Sequence, residues 1–256
     1  MHHTVEPAAT NVTNVTLCDP ICLIDMVFPG DTNHHGTLFG GVALAHMDKI
    51  AFLAAARHGR ASFVTAASER IDFAAPARTG DMVEATGRVV RVGTRSLDVE
   101  VELIAEAPVS GARHLCTRGR FTLVATGDVR LPPLGANVAP ATGDVRMVDM
   151  VFPPQTNHYG TLYGGDALKM MGKAAFVAAT RHARAIMVMA ASERIDFHIP
   201  IRAGDMVELI ATIERVGTRS VGVAVELWSE DLMTGARCRS ARGLFTMVSV
   251  GAVSDP

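Results

Sequence analysis

The chain has 256 residues, a net charge of −2 and 48% hydrophobic residues, enough apolar mass for one large domain or two ordinary ones. The near-neutral balance, without a dense Lys/Arg block, argues against a nucleic-acid surface, and no apolar run reaches the ~20 residues of a membrane span. Cys18, Cys22, Cys116 and Cys238 form no CxxC pair and no zinc-type tetrad, so free thiols in a reducing, cytoplasmic setting are expected and no metal is implied. Residues 1–20 carry no Lys or Arg and read as a tail rather than a targeting segment.

A first domain, 21–126, opens with a short strand and the loop DTNHHGTLFGG. From residue 42 follows VALAHMDKIAFLAAARHGR, about five turns of helix, apolar on almost every side and therefore predicted to be buried nearly all round. Next comes FVTAASERIDFAAP, predicted as one strand before a TGD turn, then MVEATGRVVRV, a GT turn, RSLDVEVELIAEA and ARHLCTRGRFTLVA. Period-two alternation is clearest at Leu97, Val99, Val101 and Leu103, with Asp98, Glu100 and Glu102 on the opposite face. The Pro/Gly-rich segment 127–144 reads as a linker. A second domain, 145–250, then repeats the plan with the helix DALKMMGKAAFVAATRHAR, and 251–256 form a tail. A shift of 124 places aligns Asp25–Val124 with its copy without a gap, and roughly 60 of the 100 positions are identical. That period is a domain duplication, since solenoid repeats run ~20–50 residues. A short strand, a central apolar helix and four strands give, twice, an α+β unit in which an antiparallel sheet wraps a helix, the plan called hotdog.

The phrase N-x-x-G-x-L-[FY]-G-G, at Asn33–Gly41 and again at Asn157–Gly165, is followed seven residues later by Asp48 in the first copy and Gly172 in the second. With ASERIDF, the P-x-R-x-G-D turn and the VGTRS turn in that order, it resembles the acyl-CoA thioesterases of the hotdog superfamily, in their tandem double-hotdog form. The resemblance implies hydrolysis of an acyl-CoA thioester with no cofactor beyond the coenzyme A of substrate and product. It also implies a homo-oligomer, a trimer of tandem chains, and an acid on one hotdog's helix working opposite an Asn and a helix N-terminus of the other.

Elementary chemistry asks for the same parts. Hydrolysis needs a carboxylate, as general base or nucleophile, and N–H donors where the carbonyl oxygen gains charge. Gly41 and Asp48 lie about two turns apart, roughly 10 Å along the axis, so the donors that serve Asp48 must come from another helix. The expected working site combines Asp48 and Thr65 of the first copy with Asn157 and the amides of Gly164 and Gly165 of the second. Its mirror, Asn33, Gly40 and Gly41 with Gly172, has no carboxylate and reads as vestigial, and Met189 stands there where Thr65 stands in the first copy. Arg95-Ser96 and Arg219-Ser220, at strand-entry turns after glycine, suit the coenzyme's phosphates, with the choice between the two turns open.

Plainer roles stand beside these. Asn157 suits a turn, the glycines suit close helix–sheet packing, and the RS turns suit solvated hairpins. Arg70 with Asp72 and Arg194 with Asp196 read as cross-strand ion pairs between copies. His34 and His158 fit turn structure; His35 becomes Tyr159 and His46 becomes Met170, which speaks against a shared metal site. Two other functions remain open at this point: a hydratase or dehydratase on acyl thioesters, and a non-catalytic acyl-CoA sensor.

Overall fold

The computed structural model describes residues 20–134 and 144–250. The expected tails beyond Pro20 and Val250 and half of the linker, with Cys18, lie outside the described residues. The first half runs β1 (Ile21–Met26), α1 (Gly40–Gly59), β2 (Phe63–Ser68), β3 (Asp72–Phe73), β4 (Met82–Val92), β5 (Ser96–Glu106) and β6 (Arg113–Ala125). The second repeats it as β7 (Val145–Met150), α2 (Gly164–Ala183), β8 (Met187–Ser192), β9 (Asp196–Phe197), β10 (Met206–Val216), β11 (Ser220–Glu230) and β12 (Arg237–Ser249). Each sheet is antiparallel, ordered β1-β4-β5-β6-β2 or β7-β10-β11-β12-β8, with β3 on β6 and β9 on β12. Two tandem hotdog units result.

The alternation read from the sequence puts Leu97, Val99, Val101 and Leu103 against α1, all fully buried beside Met47, Ile50 and Leu53. Each such side chain contributes about 1.5–3 kcal/mol over an exposed one. Cys22, Cys116 and Cys238 are free. No helix among the described residues is long and apolar enough to cross a membrane.

The helix begins at Gly40, so both glycines of the GG pair lie in its first turn, at the N-terminus where the sequence reading put them. Three details differ from the sequence expectation. The FVTAASERIDFAAP stretch is two strands, because the chain leaves the ladder after a bulge at Thr65/Ala67 and rejoins β6 only at Asp72. Burial all round holds only for the C-terminal half of each helix; near the N-terminus Leu44 and Leu168 are exposed, since no described residue covers that face. Arg70–Asp72 and Arg194–Asp196 are pairs within one segment rather than between copies, two residues apart and open to solvent.

The halves join on the β1/β7 side. Ile24 and Met82 belong to the second half's core, while Val148, Met206 and Leu232 belong to the first's. A pseudo-two-fold set of ion pairs surrounds this seam. Lys49 meets Asp149 at 2.9 Å and Lys173 meets Asp25 at 2.7 Å. Buried Glu106 takes Arg181 at 2.8 Å, Arg184 at 2.7 Å and Arg113 at 2.9 Å, and buried Glu230 takes Arg60 at 2.6 Å and Arg57 at 3.5 Å. Arg60 and Arg184 also close the helices in the left-handed region, at φ 47° and 48°, where glycine is usual. Their side chains reach across the seam from there.

Burial pushes the Glu106 carboxyl up, but hydrogen bonds from Arg184 and Arg181 and the charges of Arg181 and Arg113 hold it, on balance, below the usual carboxylate range. A depressed folded value stabilises the fold above the unfolded value, and that stabilisation is lost as pH falls through the folded one. Glu106→Ala should therefore lower unfolding free energy by about 3–5 kcal/mol at neutral pH, because three guanidiniums lose a buried partner. In denaturant titrations across pH 3–7, wild type should lose stability on acidification more steeply than Glu106→Gln.

Candidate active site

Both halves build the same loop-to-helix corner. In the second, Asn157 N–H donates to the Thr161 carbonyl at 2.8 Å and Gly160, at φ 73°, closes the turn back onto the Asn157 carbonyl. The Asn157 side-chain oxygen accepts from the Tyr159 N–H at 2.9 Å, the Thr161 N–H at 3.3 Å and the Thr161 hydroxyl at 3.2 Å. Those bonds fix the amide's orientation, and Asn157 Nδ2 makes no hydrogen bond among the described residues. Asn33 uses its oxygen in the same way, but its Nδ2 also donates to Thr37 Oγ1 at 3.0 Å. The turn role and a donor role are compatible in Asn157, through different atoms.

The helices start without a side-chain cap. Phe39 and Tyr163 occupy the N-cap positions, and their carbonyls take the N–H groups of the third and fourth residues that follow. The N–H groups of Gly40, Gly41, Gly164 and Gly165 have no backbone acceptor among the described residues, as expected in a first turn. Together with the positive end of the helix dipole they form an anion-favouring corner. The two glycines of each pair do different things. A Cβ at Gly164 would meet nothing within 4 Å. A Cβ at Gly165 would lie 2.7 Å from the Tyr163 ring, and one at Gly41 2.6 Å from the Phe39 ring. The second glycine admits the preceding aromatic ring, a packing role that the LFGG and LYGG phrases could have suggested.

The acid sits elsewhere on the helix. Asp48 is half-buried in the third turn of α1, and its Oδ1 accepts a 2.7 Å hydrogen bond from the Thr65 hydroxyl on β2. The bulge at Thr65/Ala67 inserts Ala66 as an unpaired residue just where this side chain must be aimed. With its proton donated to Asp48, Thr65 Oγ1 keeps lone pairs for a water, and Asp48 Oδ2 is unclaimed among the described residues. Position 172, the counterpart of Asp48, has neither group: the Met189 methyl lies 2.8 Å from where a Cβ would stand.

One chain therefore holds the expected parts as two separate groups. Asp48 and Thr65 are in contact, Asn157, Gly164 and Gly165 form one corner, and among the described residues no hydrogen bond or ion pair joins the groups. A cavity of about 350 Å³ opens at the other corner, lined by Asn33, Thr37, Gly40, Phe73 and Pro76, without an acid. Arg95 and Arg219 are exposed at their turns, and each spends one N–H on a neighbouring strand's carbonyl, Ala125 at 3.3 Å and Ser249 at 3.2 Å. Ser96 and Val64 both register with Val124, which puts the Arg95-Ser96 turn about 10 Å from β2. His46 belongs to the seam: burial holds its imidazole below the usual value, among Asp25, Lys49, Lys173 and Asp149.

Residues 35–112 and 159–236 match the thioesterase superfamily. The chain belongs to that family. Its fold is similar to the crystal structure of an acyl-CoA hydrolase from Agrobacterium tumefaciens, with 51% identity and a TM-score of 0.83 over 90% of this chain and 95% of that one. It is 39% identical over 122 residues to the Bacillus subtilis protein named uncharacterized acyl-CoA thioester hydrolase YkhA, covering 48% of this chain and 71% of that one. Mouse acyl-coenzyme A thioesterase 11 is 26% identical over 262 residues, and the match spans 83% of this chain but 44% of the mouse protein.

The Gly172 contact is with the flexible end of an exposed methionine, so an added methyl displaces little. Gly172→Ala should stabilise the fold by up to about 1 kcal/mol through helix propensity. Equilibrium unfolding checks this; a loss would mean that the glycine is required for packing.

Proposed function

We propose that this thioesterase-family chain hydrolyses acyl-CoA thioesters to a free acid and coenzyme A, with Asp48 as general base. A water held between Asp48 Oδ2 and Thr65 Oγ1 gives its proton to Asp48 while its oxygen attacks the thioester carbon. Asn157 Nδ2 and the amides of Gly164 and Gly165 supply donors for the carbonyl oxygen as it becomes anionic. The tetrahedral intermediate collapses, the C–S bond breaks, and the departing thiolate takes the proton from Asp48. The remaining N–H groups of Arg95 or Arg219, beside Ser96 or Ser220, suit the coenzyme's phosphates.

The single observation behind this reading is the 2.7 Å Thr65–Asp48 hydrogen bond, which pairs the only acid at this helix position with an orienting hydroxyl. The second copy replaces both residues, with Gly172 and Met189, so the mirror site lacks a base and is silent. The family match and the 51% identical acyl-CoA hydrolase support the reaction class.

Free thiol released from a panel of acyl-CoAs tests it. Asp48→Ala should lower kcat by about 10²–10⁴-fold, the usual worth of a general base. Thr65→Val should lower it about tenfold or more, since one hydrogen bond to a charged group is lost. Asp128→Ala, an exposed acid far along the chain, should match wild type. Turnover that persists in Asp48→Ala overturns the assignment.

A further inference from the structure

The exposed faces of the two helices have the same positions and different chemistry. In α1 the stripe Leu44, Asp48, Phe52 runs at four-residue spacing, and Asp48 with Thr65 makes a polar break in its middle. In α2 the corresponding stripe is Leu168, Gly172, Phe176. The Met189 side chain reaches it from β8 and ends 2.8 Å from where a Cβ of residue 172 would stand. The break is gone, and the strip from Leu168 to Phe176 is apolar for about 12 Å at ~1.5 Å per residue. Leu168 and Met189 are 43% and 47% exposed, and Phe176 is partly buried.

A cation stands beside this strip in α2 alone. Lys169 occupies the place of Ala45, one residue after Leu168 and three before Gly172, and it is exposed. The chain has three lysines. Lys49 and Lys173 pair with Asp149 and Asp25 across the seam. Lys169 makes no hydrogen bond or ion pair among the described residues, not even with Asp166 one turn earlier. Side chains on a helix lean toward its N-terminus, which directs the ammonium toward the Gly165 end of the strip, the end whose dipole favours an anion.

We infer that the exposed face of α2 is a binding site for an aliphatic carboxylate, its charged head held at Lys169 and its chain laid along Leu168, Met189 and Phe176. The inference rests on the thioesterase reading for the source of the ligand, since a free acid is what that reaction releases. The ligand's chemistry follows from the face itself: one unpaired cation at one end, a linear apolar surface beyond it, and no carboxylate at position 172 to repel an anion. A whole coenzyme A, with several phosphates and a polar body, does not match a single ammonium on an apolar strip. The substitutions that silenced the second half, to Gly172 and Met189, are the same ones that make this surface continuous.

Decanoate below its micellar concentration is the probe, and calorimetric titration of the full-length chain is the measurement. Wild type should bind it saturably, with Kd falling about two- to fourfold per methylene from octanoate to dodecanoate, as half to all of each CH2 is buried. Decan-1-ol, the same chain without charge, should bind about fivefold more weakly. Lys169→Ala should weaken decanoate by a similar factor and Lys169→Arg should restore it. Gly172→Asp combined with Met189→Thr, which rebuilds the first half's own pair, should lose at least about tenfold through lost apolar contact and like-charge repulsion. Decanoate binding that is absent, that decanol equals, or that survives both variants unchanged overturns the inference. Turnover of acyl-CoA by the same wild-type preparation then leaves the thioesterase reading standing. Binding with the stated dependence in a chain that releases no thiol supports the site and removes that reading. In light scattering Lys169→Ala should keep the wild-type assembly state; a change assigns the strip to contact with a second copy and overturns the site.

Discussion

Two buried carboxylates, Glu106 and Glu230, fix how the halves of this chain sit against each other. Each is enclosed by guanidiniums from the other half, and a carboxylate at that depth without its partners would be destabilising by several kcal/mol. The seam they hold also lets each half donate apolar side chains to the other's core, so the halves cannot slide. Because the seam occupies the β1/β7 side, β2 and β8 are left outermost. The acid is on β2's side for this reason, and the open faces of the helix N-termini share its exposure.

The duplication divides two jobs that coexist in one sequence phrase. The Asn-x-x-Gly loop is needed for structure in both halves, since the asparagine oxygen and the left-handed glycine close the turn that delivers the helix start. Its retention in both halves therefore needs no chemical explanation. The Asp48–Thr65 pair has no comparable structural task, and it is the part that one copy could lose. A half without an acid still presents donors, and a half with one still carries the loop.

Much of the fold was legible in the sequence. The 124-residue period, the alternation at Leu97–Leu103 and the turn at Asn157 correspond to what forms. The strand break at Glu69–Ile71 was not legible, because Ser-Glu-Arg-Ile-Asp alternates well enough for a strand and only the bulge at Thr65/Ala67 diverts it. Burial of the helices was overread for a similar reason: apolar composition at Leu44 and Leu168 says that a residue favours cover, not which chain provides it. The exposed edges and the Arg-x-Asp pairs also needed coordinates. On the site itself, the Asp48-to-Gly172 change was visible in the letters, whereas the free Nδ2 of Asn157 and the aromatic rings over Gly41 and Gly165 depend on rotamers that no spacing encodes.

The arginines that end the two helices show local comfort yielding to long-range need. A non-glycine residue in the left-handed region carries about 1 kcal/mol of strain or more, and glycine would relieve it. Glycine has no guanidinium, however, and Arg60 and Arg184 reach Glu230 and Glu106 from these very positions. Optimising either turn in isolation would loosen the union of the halves, so a sequence tuned for helix endings alone would be a poorer sequence for this molecule.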